Sequence, residues 1–160
     1  MKPRQTITPF LWFDGNAEEA VNFYTSIFKD GRIVSIDCYP DEFEDMRGKV
    51  LTAVFELNGQ ELMAIDGGPQ YKFTEAVSLY VNCDSQEEVD AYWNKLAEGG
   101  EILMCGWLKD KYGLTWQIIP KALPEMLQDK DRARAKRVMD AMMQMKKIDV
   151  AELQKAYDGA

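Results

Sequence analysis

No histidine occurs among the 160 residues of this chain, and that absence decides much of the chemistry open to it. Nucleophilic catalysis of the Ser–His or Cys–His kind is removed. So is the side chain best suited to zinc, iron, nickel and copper. Acid–base work would fall to carboxylates, Lys, Tyr or Cys. The three cysteines, Cys38, Cys83 and Cys105, form no CxxC pair, so neither a zinc nor a redox motif is present. They read as reduced, small apolar fillers. A reactive-thiol role stays open for Cys105, although no charge close in sequence would activate it.

The net charge is −8. Phosphates would be repelled, which argues against a nucleic-acid partner, and an anionic membrane surface is equally unfavourable. Hydrophobic residues make up 46% and charged residues 29%, enough for an ordinary core. No apolar run approaches the roughly 20 residues that span a bilayer. Met1-Lys2-Pro3-Arg4-Gln5 runs into Thr6-Ile7-Thr8-Pro9 without the apolar segment of a signal peptide. The expected location is the cytoplasm.

The elements that would position any site come from an internal repeat. Shifted by 69 positions, residues 10–34 fall on residues 79–103. Glu18-Glu19 meets Glu87-Glu88. Ala20, Phe23, Tyr24 and Ile27 meet Val89, Tyr92, Trp93 and Leu96. Each copy opens with a short apolar strand. Asn16 or Ser85 offers a side-chain oxygen as N-cap, with acidic residues in the first turn. An amphipathic stripe follows, and Gly31 or Gly100 ends the helix. Second strands begin at Ile33 and Ile102. Copy one adds strands at 50–57 and 61–66, joined by the hairpin signal Asn58-Gly59. Copy two adds 104–109 and 114–119 around a turn at 110–113. The acidic stretch 40–48 reads as a solvated loop, and Gly67-Gly68-Pro69 as the linker between copies.

Each copy thus reads βαβββ, with module one at 5–68 and module two at 74–120. Side by side, two such units can form a curved, mixed eight-stranded sheet around a cavity, an α+β fold. Residues 1–122 would make this domain, and 123–160 a C-terminal helical extension. There Ala135, Val138, Met139, Met142 and Met143 recur at helical spacing, and Asp149 reads as another N-cap. The Met cluster suits core or subunit contact, with a binding surface as the alternative.

This architecture resembles the vicinal oxygen chelate superfamily, which includes glyoxalase I, extradiol dioxygenases and bleomycin-resistance proteins. The local text is closer to its PhnB-like branch. The carrying residues are 8–20 (TPFLWFDGNAEEA), Phe23-Tyr24, Phe28, Cys105-Gly106-Trp107, 110–118 (DKYGLTWQI) and 145–149 (MKKID). The resemblance implies a homodimer and a ligand cavity. It also brings the label 3-demethylubiquinone-9 3-methyltransferase. The sequence shows no glycine-rich strand-to-helix turn for a nucleotide-like methyl donor, so the label is taken as a family name.

Superfamily enzymes hold their metal with His and Glu from cavity-facing strands. Strand parity places Ser78 and Tyr80 toward the cavity, with Pro9 and Leu11 as their counterparts 69 residues earlier. Gln117 falls where the family places a metal-binding Glu, and Met63, or Asp66 just beyond, falls at the matching place in copy one. Such a set suits neither hard nor soft metals: no metal and no cofactor is expected. Trp107, Trp116 and Tyr80 are candidate aromatic walls, with core filling as the other reading for Trp116. Ser78, Gln117 and Asp66 are the hydrogen-bonding groups. Three functions stay open. One is metal-free binding of an apolar or aromatic molecule, and another is an enzyme with Asp66 as acid or base. The third is a structural or regulatory homodimer with a vestigial site.

Overall fold

A computed structural model of the chain describes residues 5–160. Met1 to Arg4, on which part of the signal-peptide reading falls, lie outside the described residues. The architecture is α+β, in two compact units, Met1–Lys72 and Phe73–Ala160, each carrying one copy of the repeat.

The first unit contains β1 (Phe10–Phe13), α1 (Ala17–Ile27), β2 (Arg32–Cys38), β3 (Val50–Leu57) and β4 (Gln60–Asp66). Its sheet runs β1-β4-β3-β2, with β1 parallel to β4 and the remaining pairs antiparallel. Asn58 and Gly59 take φ of 48° and 80°, the paired left-handed residues of a tight hairpin. Helix α1 buries Ala17, Ala20, Val21, Tyr24 and Ile27, and Tyr24 stacks on Phe55 of β3. One sheet face is thereby closed: Leu11, Phe13, Ala53, Phe55, Leu62 and Ala64 alternate into this core.

The second unit repeats the order with β5 (Ser78–Cys83), α2 (Gln86–Ala97), β6 (Glu101–Ile102), β7 (Trp107–Lys109) and β8 (Thr115–Pro120). Its sheet runs β5-β8-β7-β6, again with one parallel pair. Val89, Trp93 and Leu96 of α2 are buried, as are Val81, Cys83, Leu108, Trp116 and Ile118 of the strands.

One of the two expected N-caps forms, and the two expected helix-ending glycines are needed for another reason. Ser85 caps α2, accepting from Glu88 N at 3.2 Å while Glu88 accepts from Asp84 N at 2.7 Å, a reciprocal arrangement close to a capping box. Asn16 makes no side-chain cap bond, and Asp66 of β4 takes the first N–H of the helix, that of Ala17. Gly31 and Gly100 are not left-handed caps either: the helices end on extended Phe28 and Glu98. A Cβ at Gly31 would strike the Thr25 backbone, and one at Gly100 the backbone of Lys109 and Asp110. Close main-chain approach is what excludes a side chain there.

After β8 come α3 (Ala122–Leu127), α4 (Arg132–Met142) and α5 (Val150–Asp158). Asp131 and Asp149 cap α4 and α5 through their side chains. Leu123, Val138, Ile148 and Leu153 share a small core with Ile119 of β8. Met142 and Met145 pack against it, whereas Met139 and Met143 are exposed. The segment before α5 is tied back to the sheet unit. Gln86 donates to Ile148 O and accepts from Val150 N. Met145 O and Lys146 O accept from the N–H groups of Cys105 and Gly106 at 2.8 and 2.7 Å. No helix among the described residues is long and apolar enough to cross a membrane.

Candidate functional site

The face of the second sheet turned away from α2 gathers four of the expected residues. Tyr80 of β5 pairs in register with Gln117 of β8, and Gln117 pairs with Trp107 of β7. Side chains directly opposite on one sheet face are neighbours, so the three form a row across adjacent strands. Gln117 Nε2 donates to Ser78 Oγ at 2.8 Å. Ser78, Gln117 and Trp107 are half-buried, and Tyr80 is 47% exposed. Burial, with a smaller contribution from nearby Cys83, holds the Tyr80 phenol above its ordinary range. The phenol therefore remains a neutral donor at physiological pH. Two aromatic surfaces flanking an amide that is bonded to a neighbouring hydroxyl can hold a flat apolar ring and orient a polar substituent.

Trp116 does not belong to that row. Its neighbour-to-neighbour alternation with Gln117 puts it on the α2 side, 2% exposed, and its indole N–H donates to Asp110 Oδ2 at 2.9 Å. Asp110 also fixes the β7–β8 turn, its Oδ1 accepting from Tyr112 N and Leu114 N. Trp116 is core filling.

In the first unit, β1 has the opposite parity to that expected. Leu11 and Phe13 are buried, Phe10 is exposed and Trp12 half-buried. The cause is one extra residue between strand and helix. Copy one places Asp14-Gly15-Asn16 between Phe13 and Ala17, and copy two only Asp84-Ser85 between Cys83 and Gln86. Gly15 sits at φ 82°. The helices therefore align at an offset of 69 and the strands at 70, and a one-residue slip exchanges the two faces. Phe10, not Leu11, corresponds to Tyr80, and Thr8, not Pro9, to Ser78. Pro9 is exposed; its carbonyl accepts from Met63 N at 2.9 Å. Met63 does correspond to Gln117, since Phe10 pairs with Met63 as Tyr80 pairs with Gln117.

Trp12 shares the Phe10–Met63 face and is held firmly. Its indole N–H donates to Gly68 O at 2.8 Å, and Tyr71 meets it edge-on at 5.0 Å. Sequence reasoning overlooked Phe10 and Trp12; the extra glycine at position 15 was the available signal.

Asp66 lies on the other face. It is 2% exposed, and its oxygens accept from Ala17 N at 2.9 Å and Val50 N at 3.0 Å. It ties the start of α1 to the start of β3, and it does not face the Met63 side.

The positions implied by the resemblance thus become Thr8 and Met63 in the first unit, a hydroxyl and a thioether, and Ser78 and Gln117 in the second, a hydroxyl and an amide. Glu61, which accepts from Thr8 Oγ1 at 3.4 Å, is the one carboxylate on that face of β4. Such donors fit neither a hard cation, which prefers several anionic oxygens, nor a metal that favours imidazole or thiolate. No group of three or more His, Cys, Asp or Glu able to hold a metal occurs among the described residues.

Cys105 forms the β6–β7 turn with Gly106, at φ of 60° and 81°. A Cβ at Gly106 would meet Ile119 and Ile148 at 2.8 and 2.9 Å. Cys38 is exposed and Cys83 buried.

Comparison with known proteins follows the same outline. A family model described as 3-demethylubiquinone-9 3-methyltransferase matches residues 5–119. A PhnB protein of Bacillus cereus carrying that same label is 48% identical, with a TM-score of 0.69. The match covers 72% of this chain and 99% of that one. A Pseudomonas aeruginosa protein is 27% identical, with a TM-score of 0.64, over 72% of this chain and 97% of that one. The fosfomycin resistance protein FosX of Listeria monocytogenes shares the fold at 15% identity and a TM-score of 0.55, over 79% of this chain and 98% of that one. None of the curated proteins matches the chain.

Proposed function

The chain belongs to the PhnB-like family, whose model is described as 3-demethylubiquinone-9 3-methyltransferase, within the vicinal oxygen chelate superfamily, and we propose that it binds a small, largely apolar aromatic molecule without a metal. The observation that carries this reading is the Tyr80–Gln117–Trp107 row. It sets two aromatic side chains around a half-buried amide already oriented by Ser78. Chemistry of this kind favours a ring with one or two polar substituents. The neutral donors Ser78 and Gln117 on this face support binding without a metal.

The family description names a methyl transfer, and the local geometry gives that reaction little support. A nucleotide-like donor is commonly seated at a helix N-terminus that follows a glycine-rich turn. Here the first N–H of α1 is taken by the Asp66 carboxylate, and the start of α2 by Ser85. The acid–base alternative centred on Asp66 is weakened by the same contacts, which commit both carboxylate oxygens.

Residues 1–122 are taken as the ligand-binding domain and 123–160 as an appended helical element, working in the cytoplasm as a homodimer. Val34 on edge strand β2 and Ile102 on edge strand β6 are about half exposed, which supports pairing through sheet edges. Thermal shifts across a panel of small aromatic metabolites, measured in EDTA, test the binding reading. At least one member raises Tm, and Tyr80→Ala removes that rise. A panel without effect on a well-folded protein contradicts the reading.

A further inference from the structure

Among the described residues, Thr115 Oγ1 is the buried side-chain polar atom that has no hydrogen-bond partner. Thr115 is 0% exposed. A buried hydroxyl left unpaired is disfavoured and rare enough to call for a cause. Its position supplies one. Trp116 and Ile118 go to the α2 side of β8, so Thr115 shares the opposite face with Gln117. Ser78 is its register partner on β5 and Lys109 its partner on β7.

Neither neighbour turns to it. Ser78 Oγ accepts from Gln117. The Lys109 ammonium goes to Glu75 at 2.5 Å and Glu101 at 3.5 Å. Because β5 and β7 flank β8, the bridge from Lys109 to the turn before β5 crosses β8 near Thr115. Glu75 is about half exposed in this pair, and exposed ion pairs are held weakly. The charge on Lys109 is balanced by two carboxylates in a chain of net charge −8. The face therefore offers hydroxyls and an amide but no net positive charge, which disfavours an anion.

We infer that Thr115 is a ligand-selecting residue, whose hydroxyl pairs with the hydroxyl or carbonyl of a neutral aromatic molecule lying against Tyr80 and Trp107. Entry opens the Lys109–Glu75 bridge and relieves the unpaired hydroxyl. The inference rests on the binding reading given above and names the ligand class.

Thr115→Val keeps the shape and removes the hydroxyl, and Thr115→Ser keeps the hydroxyl. Phenol and toluene, titrated by NMR in EDTA, serve as probes. The phenol-to-toluene affinity ratio falls about three- to tenfold in Thr115→Val and is retained in Thr115→Ser. The free Thr115→Val protein gains roughly 2–4 °C in Tm, because an unpaired buried group has gone. An unchanged ratio, with both probes still binding, overturns the role of Thr115 and leaves the binding reading standing. A lower Tm for free Thr115→Val shows the hydroxyl already paired and overturns the inference as well. Binding of neither probe to the unaltered protein contradicts the binding reading itself.

Discussion

The Asp66 carboxylate receives the N–H of Ala17 on one oxygen and the N–H of Val50 on the other. A residue at the end of β4 thereby holds the first turn of α1 and the entry of β3 in place. Asp66→Asn keeps one acceptor and sets an NH2 group against the second N–H. The expected loss is about 2–3 kcal/mol of stability, read by urea denaturation, with binding by the folded fraction preserved. Unchanged stability with loss of a measured turnover would restore Asp66 as an acid or base.

Gly67 lies directly beneath Trp12, and a Cβ there would run into the indole. Gly67→Ala therefore displaces Trp12 and breaks its bond to Gly68 O. A cost of about 1–3 kcal/mol is expected from such overpacking, with a changed near-UV circular dichroism spectrum. A variant with the parent spectrum and Tm would mean that the indole is not fixed there.

Burial, reinforced by the nearby carboxylates of Glu88 and Asp84, pushes the Cys83 thiol from 9.0 up to about 12. The folded chain keeps this proton where the unfolded chain loses it. Stability that is full below pH 9 therefore falls as pH rises from about 9 toward 12, and Cys83→Ala flattens that fall. Near pH 8, a thiol reagent modifies exposed Cys38 in the native protein and leaves Cys83 untouched until denaturant is added.

Ile148 is fully buried among Ile119, Leu123, Val138 and Leu153. Ile148→Ala is expected to cost about 2–5 kcal/mol. It also loosens the strap that Met145 and Lys146 form on Cys105 and Gly106, so proteolysis within 123–160 accelerates. Protection equal to that of the parent would mean that the extension is held by other contacts.

Local signals carried far in the sequence. The Asn58-Gly59 hairpin, the Ser85 cap and the Asp149 cap of α5 are decisions made within a few residues, and each is legible. So are both helix stripes, because burial on one side imposes their spacing. What stayed hidden was non-local. Nothing near Asn16 tells that the first N–H of α1 goes to Asp66, 50 positions on. The extra residue at Gly15 reverses the faces of β1 and moves Phe10 and Trp12 to the side assigned to Pro9 and Leu11. In the second unit strand and helix are joined without the extra residue, and Ser78, Tyr80, Gln117 and Trp107 share one face. Thr115 went unnoticed because an unpaired hydroxyl is a fact about its neighbours, not about its type.

The most direct test follows backbone amide shifts of the labelled protein while phenol is titrated in EDTA. Saturable shifts are predicted, largest at Ser78–Cys83, Trp107–Lys109 and Thr115–Gln117. Shifts that fail to saturate, that centre elsewhere, or that appear only once a divalent metal is added would contradict metal-free binding on this face.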